Sequence, residues 1–386
     1  MPYKETLRPI PGRKAFEQTG DVAILSQAAV LLLLGSQLRG DRGVVAARAA
    51  AVGRAKHVVD LPSEDMAQLG PPIVSFAGER YAVQSVHASL AKRYGRAALR
   101  GIQRMPKPKV SAELLGDLAK RLYKKPNAPV CAELMEACLG HDAEIVRVAA
   151  AAAYFRLSAE PHRPLRVLEQ GAKSKDELVR DVAATALARV APAHPHLDLL
   201  LRAKPSRRVR RRSDTTLLIH GTWARNNDWW QPGGDFHSYI LNNVRPDLYS
   251  QPDRFEWSGG YSDGARALAA QDLIRWVDDR GEQGLDLITH SHGGSVAMLA
   301  SASTLNIGEL VLLSCPVHAA QYFPNFNQVR KVVSIRVRLD LVILADGGGQ
   351  RFRHPQIEEN VLPIWFNHSA THDPDVWRRY NVPAML

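Results

Sequence analysis

Apolar positions change their period partway along the chain. Up to residue 201 they recur three and four apart, the spacing of one helix face. The pattern predicts helices over Val45–Val58, Ser111–Lys125, Val130–Leu139, Glu144–Leu157, Asp176–Ala191 and Leu197–Ala203, with proline or glycine in the gaps. The longest apolar run, Val22–Leu38, has 17 residues and includes Ser26, Gln27, Gly35, Ser36 and Gln37. A membrane span needs about 20 cleaner residues, so a buried helix is predicted. From Ser213 onward, short β-rich runs alternate with helical ones. Strands are predicted at Thr215–Ile219, Phe255–Trp257, Leu285–Thr289, Leu310–Leu313, Val332–Val337 and Val361–Phe366, and helices at Ala265–Val277 and Gly294–Leu305. Such alternation with short connections predicts a mostly parallel sheet covered by helices on both faces.

One internal repeat stands out in the helical half. The segment Glu144–Tyr154 matches Glu177–Leu187 at an offset of 33, sharing Val-Arg followed by alanines at helical spacing. It resembles HEAT-type repeats, in which small alanines let paired helices stack closely. The expected architecture is therefore two-domain: an all-α, HEAT-like domain over residues 1–201, a linker over 202–212, and an α/β domain over 213–386.

Charge sharpens that division. The chain has 386 residues and a net charge of +11. Residues 1–212 hold 36 Lys and Arg against 20 Asp and Glu, whereas residues 213–386 hold 14 against 19. The halves are thus +16 and −5. The run Arg202–Arg212 carries seven positive charges, no acid and a proline, which reads as a solvated linker. With 45% hydrophobic and 23% charged residues, the composition excludes a disordered, collagen-like or coiled-coil chain. Three cysteines, Cys131, Cys138 and Cys315, are too few and too scattered for a disulfide framework and read as reduced core thiols. The basic segment Met1–Phe16 leads into no apolar core of an export signal. A cytoplasmic protein is expected, able to sit at the periphery of a membrane.

The chemistry gathers in the α/β half. In Leu287-Ile-Thr-His-Ser-His-Gly-Gly294 a buried strand runs into a small-residue turn and then a helix, with Ser291 at the apex. A turn of this kind lifts a serine above the strand ends as a nucleophile. Gly293 has to be small where the helix passes the strand, and Thr289 stands where the motif usually has its first glycine. Upstream, Leu217-Leu-Ile-His-Gly-Thr-Trp223 puts a His-Gly pair at the end of the first strand of the domain. No nucleotide-phosphate loop and no zinc motif is present, so no cofactor and no metal is expected.

Taken with Phe255-Glu-Trp-Ser-Gly-Gly260, these ordered motifs make residues 213–386 resemble a lipase- or esterase-like α/β-hydrolase domain. The resemblance implies backbone amides of Thr222 and His292 as an oxyanion hole, and a nucleophile, acid and histidine in that order along the chain. Ser291 is the implied nucleophile. Asp340, just past the Val332 strand in an Asp-x-Val setting, is favoured as the acid over Asp346 in a glycine-rich turn. His368, just past the last strand, is favoured as the base over His372, which lies nearer the next helix. His290 and His292 read as packing or hydrogen-bonding neighbours that point away from the nucleophile.

The expected function is a serine hydrolase that cleaves a carboxylic ester through an acyl-enzyme. The alternative is a helical-repeat scaffold carrying a degenerate hydrolase fold. Trp223, Trp229, Trp230 and Phe236 are candidates for an apolar substrate wall. Only Ser314–Arg330 separates two predicted strands, which excludes a large helical cap there. The expected partners are an ester or acyl substrate and, for the basic half, an anionic membrane surface or an acidic protein. The Arg-rich run has no interleaved aromatics and the chain no groove-reading motif, which argues against nucleic acid.

Overall fold

The computed structural model describes residues 4–7, 22–38, 114–115, 117–118, 121, 128–155, 162–201, 216–281 and 285–386. The predicted helix Val45–Val58, most of Ser111–Lys125 and the basic segment 202–212 lie outside the described residues. The chain divides into two units. One comprises Met1–Ile10, Pro195–Ile343 and Arg351–Leu386, and the other Pro11–His194 with Leu344–Gln350.

In the second of these units the described helices are α1 (Val22–Leu38), α2 (Ala128–Cys138), α3 (Glu144–Tyr154), α4 (His162–Gly171) and α5 (Glu177–Val190). Helix α3 is at the centre and packs against the other four. Its Ala149–Ala153 run is buried, and so is Ala28–Leu34 of α1. The two copies of the sequence repeat begin helices at equivalent residues, Glu144 and Glu177. Asp176 caps α5 by accepting a hydrogen bond from the Val179 amide at 3.1 Å. Close approach depends on small residues: a Cβ on Gly35 of α1 would fall 2.5 Å from Ala153 Cβ. Helix α4 was not among the predicted elements. Among the described residues no helix is long and apolar enough to cross a membrane.

The other unit is built on a six-stranded, all-parallel sheet. Its strands are β1 (Lys4–Leu7), β2 (Thr216–Ile219), β3 (Leu285–His290), β4 (Ile307–Leu313), β5 (Val329–Arg338) and β6 (Ile357–Trp365), in the order β1-β6-β5-β4-β3-β2. Its helices are α6 (Pro195–Leu201), α7 (Asp235–Asn243), α8 (Asp263–Asp278), α9 (Gly293–Ser303) and α11 (Pro374–Tyr380), together with the start of α10 (Leu341–Asp346), whose residues from Leu344 belong to the helical unit.

Side chains alternate between the two sheet faces, as the period of two requires. Leu217, Ile219, Leu287, Leu310, Leu312 and Val332 join Leu273 of α8 and Val296 of α9 in one core. Leu218, Ile288, Val311, Leu313 and Val333 join Trp230, Phe236 and Trp377 in the other. Burial on both faces is why these strands read as continuous apolar runs.

The segment Phe255–Trp257 differs from its predicted strand: it is extended but pairs with no strand. Trp257 is buried in the core beneath the sheet, and its indole Nε1 donates to the His220 carbonyl at 2.8 Å.

Candidate active site

Parallel strands deliver all their C-terminal ends to one edge, and ligand sites of open α/β sheets form there. Four of these ends carry the residues singled out above. His220-Gly221-Thr222 follows β2, Ser291 follows β3, Asp340 follows β5 and His368 follows β6.

The Ser291 turn is strained. Its φ is +52°, a left-handed conformation that residues with a Cβ seldom adopt and that tends to persist at functional sites. Two backbone hydrogen bonds hold it: the Ser291 amide donates to the Leu313 carbonyl at 2.8 Å, and Gly294 donates to the Ser291 carbonyl at 3.0 Å. A Cβ on Gly293 would lie 2.6 Å from the His220 carbonyl oxygen and 2.8 Å from that of Ile219. A Cβ on Gly221 would lie 2.7 Å from Ser291 Cβ. The β2 loop and the serine turn therefore touch. Thr289, where the motif usually has glycine, is fully buried and donates its hydroxyl to the Val311 carbonyl at 2.9 Å.

Asp340 and His368 meet. Asp340 Oδ2 lies 2.7 Å from His368 Nδ1, and both side chains are buried. The other carboxylate oxygen accepts from the amides of Val342 at 2.9 Å and Ile343 at 3.2 Å. The strand ends around them are tied together, with Phe366 donating to the Arg338 carbonyl and Leu341 to that of Phe366. Leu339 and Phe366, flanking the turns, have positive φ values of 50° and 68°. This geometry fixes Nδ1 as the proton-bearing nitrogen of His368.

The neighbouring histidines do other work. His372 is buried with its ring stacked on Trp229 at 4.1 Å. Burial, then the nearby His368, pushes its pKa down to about 3, so it stays neutral. His220 is sandwiched by Trp230 and Trp257, and burial likewise lowers it to about 3. His290 does not simply turn away. Its ring packs on that of His368 at 4.6 Å and on that of His372 at 4.6 Å, which places the His368 ring beside the residue preceding Ser291. Burial, with two histidines beside it, holds its pKa well below the usual value. His292 places Nδ1 3.1 Å from Ser295 Oγ. Sequence reasoning missed the His290 contact because strand alternation says nothing about a ring reached across two strands.

The aromatic residues of the 223–236 loop are mostly committed to packing. Trp230 donates to the Ala224 carbonyl, and Trp229 packs against Phe236, His290 and His372. Trp223, with φ +64°, stacks in parallel with Tyr261. Asp346 is buried at the end of α10.

Residues 216–385 match the family model described as "Alpha/beta hydrolase family". The chain thus carries an α/β-hydrolase domain over that stretch, with the parallel sheet and covering helices just described. A comparison with curated proteins returned no match. Among solved structures, a crystal structure of an uncharacterized protein from Bacillus cereus ATCC 10987 is similar at 12% identity, covering 72% of this chain and 99% of that one with a TM-score of 0.29. At that score the likeness supports no statement about fold or function.

Proposed function

We propose that the α/β-hydrolase domain is a serine esterase with Ser291 as nucleophile, His368 as base and Asp340 as acid. What carries this reading is the buried 2.7 Å pair of Asp340 and His368, packed through His290 against the strained Ser291 turn. Serine is a weak nucleophile at neutral pH. His368 Nε2 takes the Ser291 proton as Oγ bonds to the ester carbonyl carbon. The same proton passes to the departing alcohol as the acyl-enzyme forms. Water, deprotonated in turn by His368, then releases the acid and restores the serine. Asp340 holds the Nδ1–H tautomer and stabilises the imidazolium.

The carbonyl oxygen of the tetrahedral intermediate would be held by the amides of Thr222 and His292. Their neighbours are engaged elsewhere, the Ser291 amide with Leu313 and the Trp223 amide with Gly259, which supports that choice. We further read the helical half as HEAT-like repeats that, with the basic segment, attach the enzyme to an anionic phospholipid surface.

A fluorophosphonate probe tests the catalytic reading. Labelling of the purified full-length chain should occur and should vanish in Ser291→Ala. Labelling that survives the substitution, or never appears, overturns the assignment and favours the inactive scaffold.

A further inference from the structure

We propose that Arg266 is the anchor of a subsite for a carboxylate carried by the substrate, next to the candidate oxyanion hole. The inference rests on the hydrolase reading above and concerns which ester the site takes.

Five side chains close a ring. His292 meets Tyr261 at 5.8 Å between ring centres, and Tyr261 lies under the Arg266 guanidinium at 5.5 Å. Tyr322 covers the same guanidinium at 5.1 Å, His318 meets Tyr322 at 6.2 Å, and His318 stacks on His292 at 5.9 Å. The ring therefore begins and ends on the residue that follows Ser291. Tyr261 also stacks on Trp223 at 6.3 Å, beside Thr222. Arg266, Tyr322 and His292 are buried, while Tyr261 and His318 are half-buried.

The guanidinium is fixed but not used up. Its Nε donates to the Tyr322 hydroxyl at 3.0 Å, and one terminal nitrogen, Nη2, donates to Asp263 Oδ1 at 2.5 Å. The Tyr322 hydroxyl in turn donates to Asp263 Oδ1 at 2.5 Å. Burial and the Asp263 bond raise the Tyr322 pKa to about 12, so this donor persists at all ordinary pH. The remaining nitrogen, Nη1, is buried and has no partner among the described residues.

Buried charged donors are ordinarily satisfied, so an idle one calls for an acceptor. An arginine held rigid between two rings, with one buried donor unspent, is preorganised for an oxyanion. The ring holds one permanent cation, already shared with Asp263, which suits a monoanionic carboxylate better than a phosphate dianion. With the scissile carbonyl at Thr222 and His292, the carboxylate end of a short dicarboxylic half-ester would lie toward Arg266.

The test compares two esters of matched length on the full chain, 4-nitrophenyl butyrate and 4-nitrophenyl hydrogen succinate. The quantity read is the ratio of their kcat/KM values, which is insensitive to the amount of active protein. The wild type should favour the succinate, and Arg266→Gln should lower the ratio about 100-fold, with Arg266→Lys between them. Tyr322→Phe, which removes one fixing bond, should lower it by less, and serves if the arginine variants do not fold. A wild type that prefers the butyrate, or a ratio unmoved by these substitutions, overturns the subsite.

Succinate should also protect Ser291 from fluorophosphonate labelling where succinamide does not. Equal protection by both, or by neither, counts against Arg266 while leaving the hydrolase reading intact. If the probe never labels the wild type, the hydrolase reading fails, and stabilisation by succinate over succinamide in thermal unfolding then decides the subsite alone.

Discussion

Asp340 gives one oxygen to the His368 imidazole and the other to two backbone amides, so its carboxylate can neither rotate nor leave without losing three bonds. Asp340→Asn should therefore lower kcat by about 10⁴-fold by favouring the wrong tautomer of His368. Asp346→Asn should cost far less. By the same argument His368→Ala should abolish turnover, while His372→Phe, which keeps a ring against Trp229, should retain most of it; initial rates on a simple ester measure both. The buried histidines also set an acid limit on stability. In the unfolded chain His220 and His372 would bind protons near pH 6.5, and in the folded chain only near pH 3. Their contribution is complete above pH 6.5 and is lost as pH falls through that window, by about 2 kcal/mol for each at pH 5. Denaturant midpoints at pH 7 and pH 5 should differ accordingly, and His372→Phe should reduce the difference.

The turns and helix crossings depend on a few glycines whose absent Cβ is their contribution. Gly293→Ala would press on two backbone carbonyls that cannot move aside, and Gly221→Ala on Ser291 itself. Each should cost about 1–3 kcal/mol and most of the fluorophosphonate labelling, as thermal unfolding and probe uptake would show. In the helical unit a Cβ on Gly171 would collide with Val148 and lie 2.9 Å from Ala183, pushing apart the two matched helices. What could be read from the sequence at this scale follows from burial. Strands β3, β4 and β5 are sealed on both faces and announce themselves as apolar runs, and the candidates Ser291 and Asp340 could be placed on the sheet because they follow β3 and β5. Phe255 and Trp257 join the same core, but their segment pairs with no strand, and Trp257 bonds the His220 carbonyl instead. Helix α4 has the spacing of an amphipathic helix, but it is only ten residues long and carries Pro164 in its first turn, which reads as a break rather than a helix. Arg266 was invisible for a different reason: its importance lies in a donor left over after contacts with Asp263 and Tyr322 are counted, and no spacing encodes that.

Across the whole chain, the +16 half and the −5 half predict attachment to an anionic surface. Each clustered Lys or Arg contributes about 1 kcal/mol near such a bilayer. Full-length protein should co-sediment with phosphatidylserine vesicles and dissociate as salt rises. Replacing Arg207, Arg208, Arg210, Arg211 and Arg212 with glutamine in the full chain should abolish binding; unchanged binding would make the segment a mere connector. Shortening the chain to Ser213 would be a poorer test, because Lys4–Leu7 is an edge strand of the hydrolase sheet. No sequence pattern marked that strand, which is short and polar and takes its register from Glu358–Val361 at the opposite end of the chain. On a ribosome adding about 5–20 residues per second, the first strand made must wait tens of seconds for the last one before it can pair. Until then β1 is an unmated edge, and the sheet is complete only once β6 has been made.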